Sequence, residues 1–367
     1  MCGIVGVTGN DRSVSILIDG LKRLEYRGYD SAGIYVNDEK GHDYLVKRSG
    51  RISNLEAALT PEVKGLAGIG HTRWATHGVP SETNAHPHYS NDERFYLVHN
   101  GVIENYQQLK EEYLKGVEFK SQTDTEVIVQ LVDKFVVDYK MDTKDALLKV
   151  LRLISPDSSY AFALMDREQP DTLFVAKNKS PLLVGLCQGY NMVGSDAMSM
   201  IDETNEFMEI NDHELVIVKP DNVTIEEFDG TEKKRDSFKV DMDPSATDKG
   251  TYPFYMLKEI DEQPAVMRKL VQEYFDSDDQ PQISEKLLQA MAESDHIYII
   301  GAGTSYHAGL IGARMFEKLC GVPTKVHISS EFAYEQPLLS QKPFFLFLSQ
   351  SCLLYTSDAA DEGLGVD

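Results

Sequence analysis

Apolar residues recur along this chain at two spacings. In the first 238 residues, short apolar runs separated by turn signals predict strands at 2–8 (CGIVGVT), 31–36 (SAGIYV), 66–75 (LAGIGHTRWA) and 94–103 (RFYLVHNGVI). SYAFALMD (159–166), TLFVAKN (172–178), LLVGLC (182–187) and HELVIVK (213–219) read the same way. VSILIDGLKRLEYRG places Leu17, Ile18, Leu21 and Leu24 on one helical face. TDTEVIVQLVDKFVVDY (123–139) predicts a long helix, with Thr or Asp as its cap and Glu126 in its first turn. Many strands with a few long helices point to an α+β layered domain.

The pattern changes at residues 239–264, which are rich in Asp, Pro, Gly and Lys and poor in β-branched runs. This stretch predicts a linker that leads into a helix at about 255–275, followed by a polar loop at 276–282. HIYIIGAGTSYHAGLIGARMFEKLCG (296–321) then reads as a strand, a glycine-rich turn and a helix. PTKVHISSEF and PFFLFLSQS supply two more strands, apolar enough for a parallel sheet covered on both faces. The expectation is the first half of a doubly wound α/β sheet.

Composition narrows the function classes. The chain has 367 residues, room for two domains, and 42% of them are hydrophobic. Its 36 basic and 59 acidic residues give a net charge of −23 without a Lys/Arg cluster, which argues against nucleic acid or an anionic membrane as partner. No apolar run approaches the ~20 residues of a membrane helix, and no basic residues precede the short apolar stretch at the N-terminus. Cys2, Cys187, Cys320 and Cys352 lie far apart, with no C-x-x-C pair and no zinc-like spacing to histidine. A reduced, cytoplasmic chain with no metal or cofactor is expected.

Cys2 follows the initiator Met directly. With Met1 removed, the α-amine (pKa roughly 7.7–8.0) can take the proton of a thiol of pKa roughly 8.5 near neutral pH, without a histidine. Amide hydrolysis then needs oxyanion donors, a grip on the substrate carboxylate and a counter-charge for its ammonium. HTRWATHG (71–78) offers Arg73 for a carboxylate, with Thr76 and His77 as further donors. HNGVIEN (99–105) joins the Asn100 amide to the unhindered N–H of Gly101, a candidate oxyanion hole. Asp124 stands at a helix start, where it could pair with an α-ammonium. Each feature alone has a plain structural reading: an Asn-Gly turn, an Arg–Trp surface stack, a helix cap. Their co-occurrence in order is what points to chemistry.

MCGIVG, YRGYDSAG (26–33), HTRWATHG, NAHPH (84–88), HNGVIEN and TDTEV resemble the type 2 glutamine amidotransferase family, and the resemblance covers residues 2–351. It implies an N-terminal-nucleophile (Ntn) hydrolase αββα sandwich with Cys2 as nucleophile and Asn100 and Gly101 as oxyanion hole. It assigns Arg73, Thr76, His77 and Asp124 to glutamine, places Arg27 beside the catalytic amine, and makes Trp74, the single tryptophan, the gate for departing ammonia. His86 and His88 read as ordering their loop.

GAGTSYHAG (301–309) follows a strand and opens a helix, where backbone N–H groups and the helix dipole favour an anion. Tyr306 takes the place of the third glycine of a dinucleotide fingerprint, so Thr304 and Ser305 suit a phosphate or a sugar hydroxyl instead. LSQS brings Ser349, Gln350 and Ser351 to the same sheet edge. These loops resemble the SIS (sugar isomerase) domain that accompanies the amidotransferase domain in its sugar-phosphate branch. That branch transfers the amide nitrogen of glutamine to fructose 6-phosphate, giving glucosamine 6-phosphate, and dimerises through its SIS domains.

After SQS the resemblance breaks. SCLLYTSDAADEGLGVD puts Leu354 where the family has a phosphate-binding Thr, and the tail from Cys352 reads as foreign sequence. The expected organisation is an amidotransferase domain at 2–238, a linker and helix at 239–282, an incomplete α/β SIS domain at 283–351 and a non-native tail at 352–367. Such a chain is expected to retain at best the glutaminase half-reaction. The alternatives are another type 2 amidotransferase with a different acceptor, or a SIS-type sugar-phosphate-binding regulator.

Overall fold

The computed structural model describes residues 2–38, 40–75, 78–240, 252, 255–276 and 280–349. The chain divides into two compact units, residues 1–248 and 249–367.

In the first unit, β1 (Gly3–Thr8), β2 (Ser31–Asn37), β3 (Asp43–Ser49) and β4 (Ala67–Arg73) precede β5 (His88–Tyr89) and β6 (Phe95–Val102). Then follow β7 (Ser159–Asp166), β8 (Gln169–Asn178), β9 (Leu183–Leu186), β10 (Asn191–Gly194) and β11 (Glu206–Glu209). The last are β12 (Glu214–Val218), β13 (Val223–Glu227), β14 (Glu232–Lys233) and β15 (Phe238–Lys239). The helices are α1 (Ser13–Arg23), α2 (Ile52–Ala58), α3 (Tyr106–Tyr113), α4 (Asp124–Tyr139) and α5 (Thr143–Leu153).

The strands form two antiparallel sheets. One runs β15-β11-β9-β10-β1-β4-β2-β3, the other β14-β13-β12-β8-β7-β6-β5. Strand alternation gives each sheet two apolar faces. Ile4, Ile69, Val98, Ala163, Val175 and Val216 meet between the sheets. Val5, Ile34 and Val36 face Leu17 and Leu21 of α1, and Leu97, Phe162 and Phe174 face α4 and α5. The result is the four-layer αββα sandwich, with helices outside both sheets.

Two of the long helices illustrate how sequence sets the ends. Thr123 caps α4 by accepting from the Glu126 N–H, and Lys140 closes it in the left-handed region at φ 56°. Asp142 caps α5 by accepting from the Asp145 N–H. Leu17, Ile18 and Leu21 of α1 are all buried, on the face their spacing predicts.

In the second unit, α6 (Tyr255–Tyr274) and α7 (Glu285–Glu293) precede β16 (His296–Gly301), α8 (Thr304–Met315), β17 (Thr324–Ile328), α9 (Ser329–Tyr334) and β18 (Pro343–Leu348). The sheet is parallel, in the order β17-β16-β18. Its central strand is buried on both faces, as expected. The edge strand β18 is only half-buried along its whole length, so full cover does not extend to it. Among the described residues no helix is long and apolar enough to cross a membrane.

Candidate active site

The site of the first unit forms where strands of the two sheets end together. β1 pairs with β4 in the register Gly3↔Thr72, which brings Cys2 beside Trp74. The Trp74 N–H donates to Cys2 Sγ at 3.2 Å, and the Trp74 carbonyl lies 3.5 Å from the sulfur. Burial pushes the Cys2 thiol up, while the Trp74 amide and the Arg73 charge pull against it. A cavity beside the sulfur is lined by Arg73, Trp74, His86, His99, Gly101 and Asp124, together with Thr123 and Thr125.

Asn100 enters from the other sheet, on the face of β6 that points between the sheets. Its Nδ2 donates to the Cys2 carbonyl at 3.3 Å and to Ser195 Oγ at 3.0 Å. Its Oδ1 lies 3.0 Å from His71 Nε2. Gly101 has φ +123°, and a Cβ there would sit 2.0 Å from the Ser159 carbonyl oxygen, so only glycine fits. Asp124, the first residue of α4, accepts from the Ile103 N–H at 2.8 Å and the Thr125 N–H at 3.0 Å. Arg73 is buried and donates to the carbonyls of Gly78 and Val79 at 3.3 and 3.4 Å. Trp74 is half exposed, its ring edge-on to Tyr29 at 5.6 Å.

The structure thus gathers Cys2, Arg73, Trp74, Asn100, Gly101 and Asp124 around one place. Thr76 and His77 lie outside the described residues. Arg27 is buried and pairs with Asp196 at 2.7 Å.

Sequence reasoning passed over His71, His99, Thr125 and Ser195, and read His86 and His88 only as ordering their loop. Behind Asn100, His71, His86, His88 and His99 form a buried cluster. Burial drives His71 down to about 3, and it drives His86 and His88 well below the ordinary histidine range. The Thr125 hydroxyl lies 2.9 Å from both His86 Nε2 and His99 Nδ1. His88 Nε2 lies 3.1 Å from the hydroxyl of Thr123. Ser195, just after β10, accepts from the Ile4 N–H at 2.8 Å.

In the second unit, β16 pairs with β18 in the register Gly301↔Leu348, so the residues after both strands share one sheet edge. Thr304 and Ser349 are exposed there and Ser305 is half-buried; Gly303 precedes α8 with φ 56°. Gln350, Ser351 and the tail from Cys352 lie outside the described residues. Among the described residues no cluster of His, Cys, Asp or Glu could hold a metal ion.

Residues 62–222 match the glutamine amidotransferase domain family, and residues 290–360 match the SIS domain family. The glutamine phosphoribosylpyrophosphate amidotransferase of B. subtilis shares the fold, with a TM-score of 0.56 at 22% identity over 89% of this chain and 65% of that one. The chain is 62% identical over 351 residues to the glutamine–fructose-6-phosphate aminotransferase (isomerizing) of Lactiplantibacillus plantarum. It is 58% identical to that of Streptococcus pneumoniae R6 and 56% to that of Lactococcus lactis. Each match covers 96% of this chain and 58% of the relative, so the chain spans little more than half their length.

The fold and the domain matches define an Ntn-type glutamine amidotransferase joined to a SIS domain. Within that class, the chain is similar to the glutamine–fructose-6-phosphate aminotransferases (isomerizing), at 55–62% identity over 96% of its own length.

Proposed function

We propose that the first unit hydrolyses glutamine to glutamate and ammonia with Cys2 as nucleophile. The observation that carries this is the Asn100 carboxamide, which donates its NH2 to the Cys2 carbonyl, while Cys2, Gly101, Arg73 and Asp124 line one cavity. Arg73 holds the substrate carboxylate, with Thr76 and His77 as further donors, and Asp124 pairs with the substrate ammonium. With Met1 removed, the Cys2 amine takes the thiol proton, and the thiolate attacks the side-chain amide carbon. The oxyanion displaces the long 3.3 Å bond from Asn100 to the Cys2 carbonyl and takes that donor together with the Gly101 N–H. The intermediate collapses to a thioester as the amine returns its proton to the leaving ammonia. Water, deprotonated by the same amine, then releases glutamate.

In the whole protein the ammonia passes Trp74 to fructose 6-phosphate, and glucosamine 6-phosphate is formed. Thr304, Ser305, Ser349, Gln350 and Ser351 contribute to the sugar-phosphate site, and SIS domains of two copies form a dimer in the cytoplasm. The identity of 55–62% to named aminotransferases supports this reading.

The test is glutamate release from glutamine by the purified chain beside Cys2→Ala, with Met1 removal checked by mass. Release that vanishes in the variant supports the assignment. Equal release from both proteins, or none from a correctly processed wild-type chain, overturns it.

A further inference from the structure

His71 is fully buried in β4, and its ring crosses the space between the sheets to the end of β6. Its Nε2 lies 3.0 Å from two oxygens, the His99 carbonyl and Asn100 Oδ1. Neither oxygen can donate, so Nε2 carries the hydrogen and shares it between them. Its Nδ1 is buried with no hydrogen-bond partner among the described residues, a place for a lone pair and not for a second N–H. Burial favours the uncharged ring, in agreement. His71 is therefore the neutral Nε2–H tautomer.

The tautomer decides which way Asn100 faces. A primary amide can be turned over at almost no steric cost, exchanging its donor and acceptor ends. With Nε2–H in place, the Asn100 oxygen must face His71, and its NH2 then faces Cys2 and Ser195. Turned over, Asn100 would set its NH2 against the His71 N–H and its oxygen against the Cys2 carbonyl. Ser195 suits either sense, since its hydroxyl can donate or accept; in the observed one its oxygen accepts from the Ile4 N–H and from Asn100 Nδ2, so the choice falls to His71.

We propose that His71 is a positioning residue for amide hydrolysis: its Nε2–H locks the Asn100 carboxamide with the NH2 aimed at the oxyanion formed on Cys2. His71 touches neither nucleophile nor substrate and acts only through Asn100. The inference rests on the glutaminase reading above and deepens it.

The test compares the full chain with His71→Leu, His71→Gln, Asn100→Ala and the double variant His71→Leu/Asn100→Ala. Glutamine carries an N–H at the reach of Nε2; leucine removes it at similar volume. Loss of one oxyanion donor costs on the order of 100-fold in kcat. His71→Leu is expected to lower kcat for glutamine hydrolysis by about that factor, with KM changed less than about threefold. His71→Gln is expected to recover at least about tenfold of the loss, and His71→Leu to cost under about threefold when Asn100 is already alanine. An undiminished cost in the Asn100→Ala background overturns the proposal, as does a His71→Leu enzyme with normal kcat. Should His71→Leu fail to fold, histidine-15N spectra of the wild-type chain decide the matter. A hydrogen on His71 Nε2 supports the proposal, and one on Nδ1 overturns it. Those spectra do not require turnover, so failure of the glutaminase reading and failure of this inference remain distinct results.

Discussion

At Gly101 a single hydrogen separates a working backbone from a clash. Gly101→Ala would press a Cβ against the Ser159 carbonyl in a left-handed conformation. We expect a loss of at least about 2 kcal/mol in urea denaturation and of nearly all glutamate release. The buried histidines act differently, through protons. His71, His86 and His88 have folded-state values below the ~6.5 of the unfolded chain. The unfolded state therefore binds more protons as pH falls. The stability they contribute is present above about pH 6.5 and is lost below it, by up to about 1.4 kcal/mol per pH unit for each ring. Asp133, pushed up to about 7 by burial and by the Asp92 carboxylate, works in the opposite sense and offsets more than one ring but fewer than two, which leaves a net loss from the three. Urea midpoints at pH 7.5 and 5.5 check this: the second should be clearly lower, and equal midpoints would mean that the rings titrate inside the fold.

Among the elements, α4 ties the site together by one side chain. The Thr125 hydroxyl serves His86 from the loop before β5 and His99 from β6. Thr125→Val keeps the shape and removes both bonds. We expect a loss of about 2–3 kcal/mol, recovered largely by Thr125→Ser and read as the shift in thermal midpoint. The same elements show what the sequence made legible. Strands β1, β4, β6, β7, β8 and β12 and helices α1, α4 and α6 follow from apolar runs, helical spacing and turn, cap or linker signals. The inward stripes are legible too: Ala67, Ile69, His71 and Arg73 on β4, and Tyr96, Val98 and Asn100 on β6, each turn from apolar to polar at one end. Two facing stripes that become polar together mark a site, and His71 could have been found that way. Ser195 and Thr125 could not. A serine after a strand and a threonine in a helix start carry no local signal, and only the assembled fold brings Ser195 to Asn100 and Thr125 to His86 and His99. The half-exposure of β18 was equally hidden, because an apolar run does not say which strand lies at the edge.

For the molecule as a whole, the site lies entirely in the first unit, whose three apolar clusters are built from its own strands and helices. A chain of residues 1–248 is expected to unfold in one cooperative transition and to release glutamate from glutamine at a rate within about threefold of the 367-residue chain, since no residue of the site is removed. Loss of cooperativity in calorimetry would show that the second unit is needed for the first to fold. The net charge of −23 lies across both units and favours solubility over association with polyanions.

The position of β1 carries one more consequence. The first strand of the chain is an inner one, flanked by β4 and β10, and Ile4 leans on Ser195 across 191 residues. A ribosome adding about 5–20 residues per second needs roughly 10–40 s to make that partner. For that time β1 lacks its second neighbour, β10, and Asn100 lacks the support of Ser195. A site whose inner strand is made first and whose last support is made so late can close only after most of the unit has been synthesised.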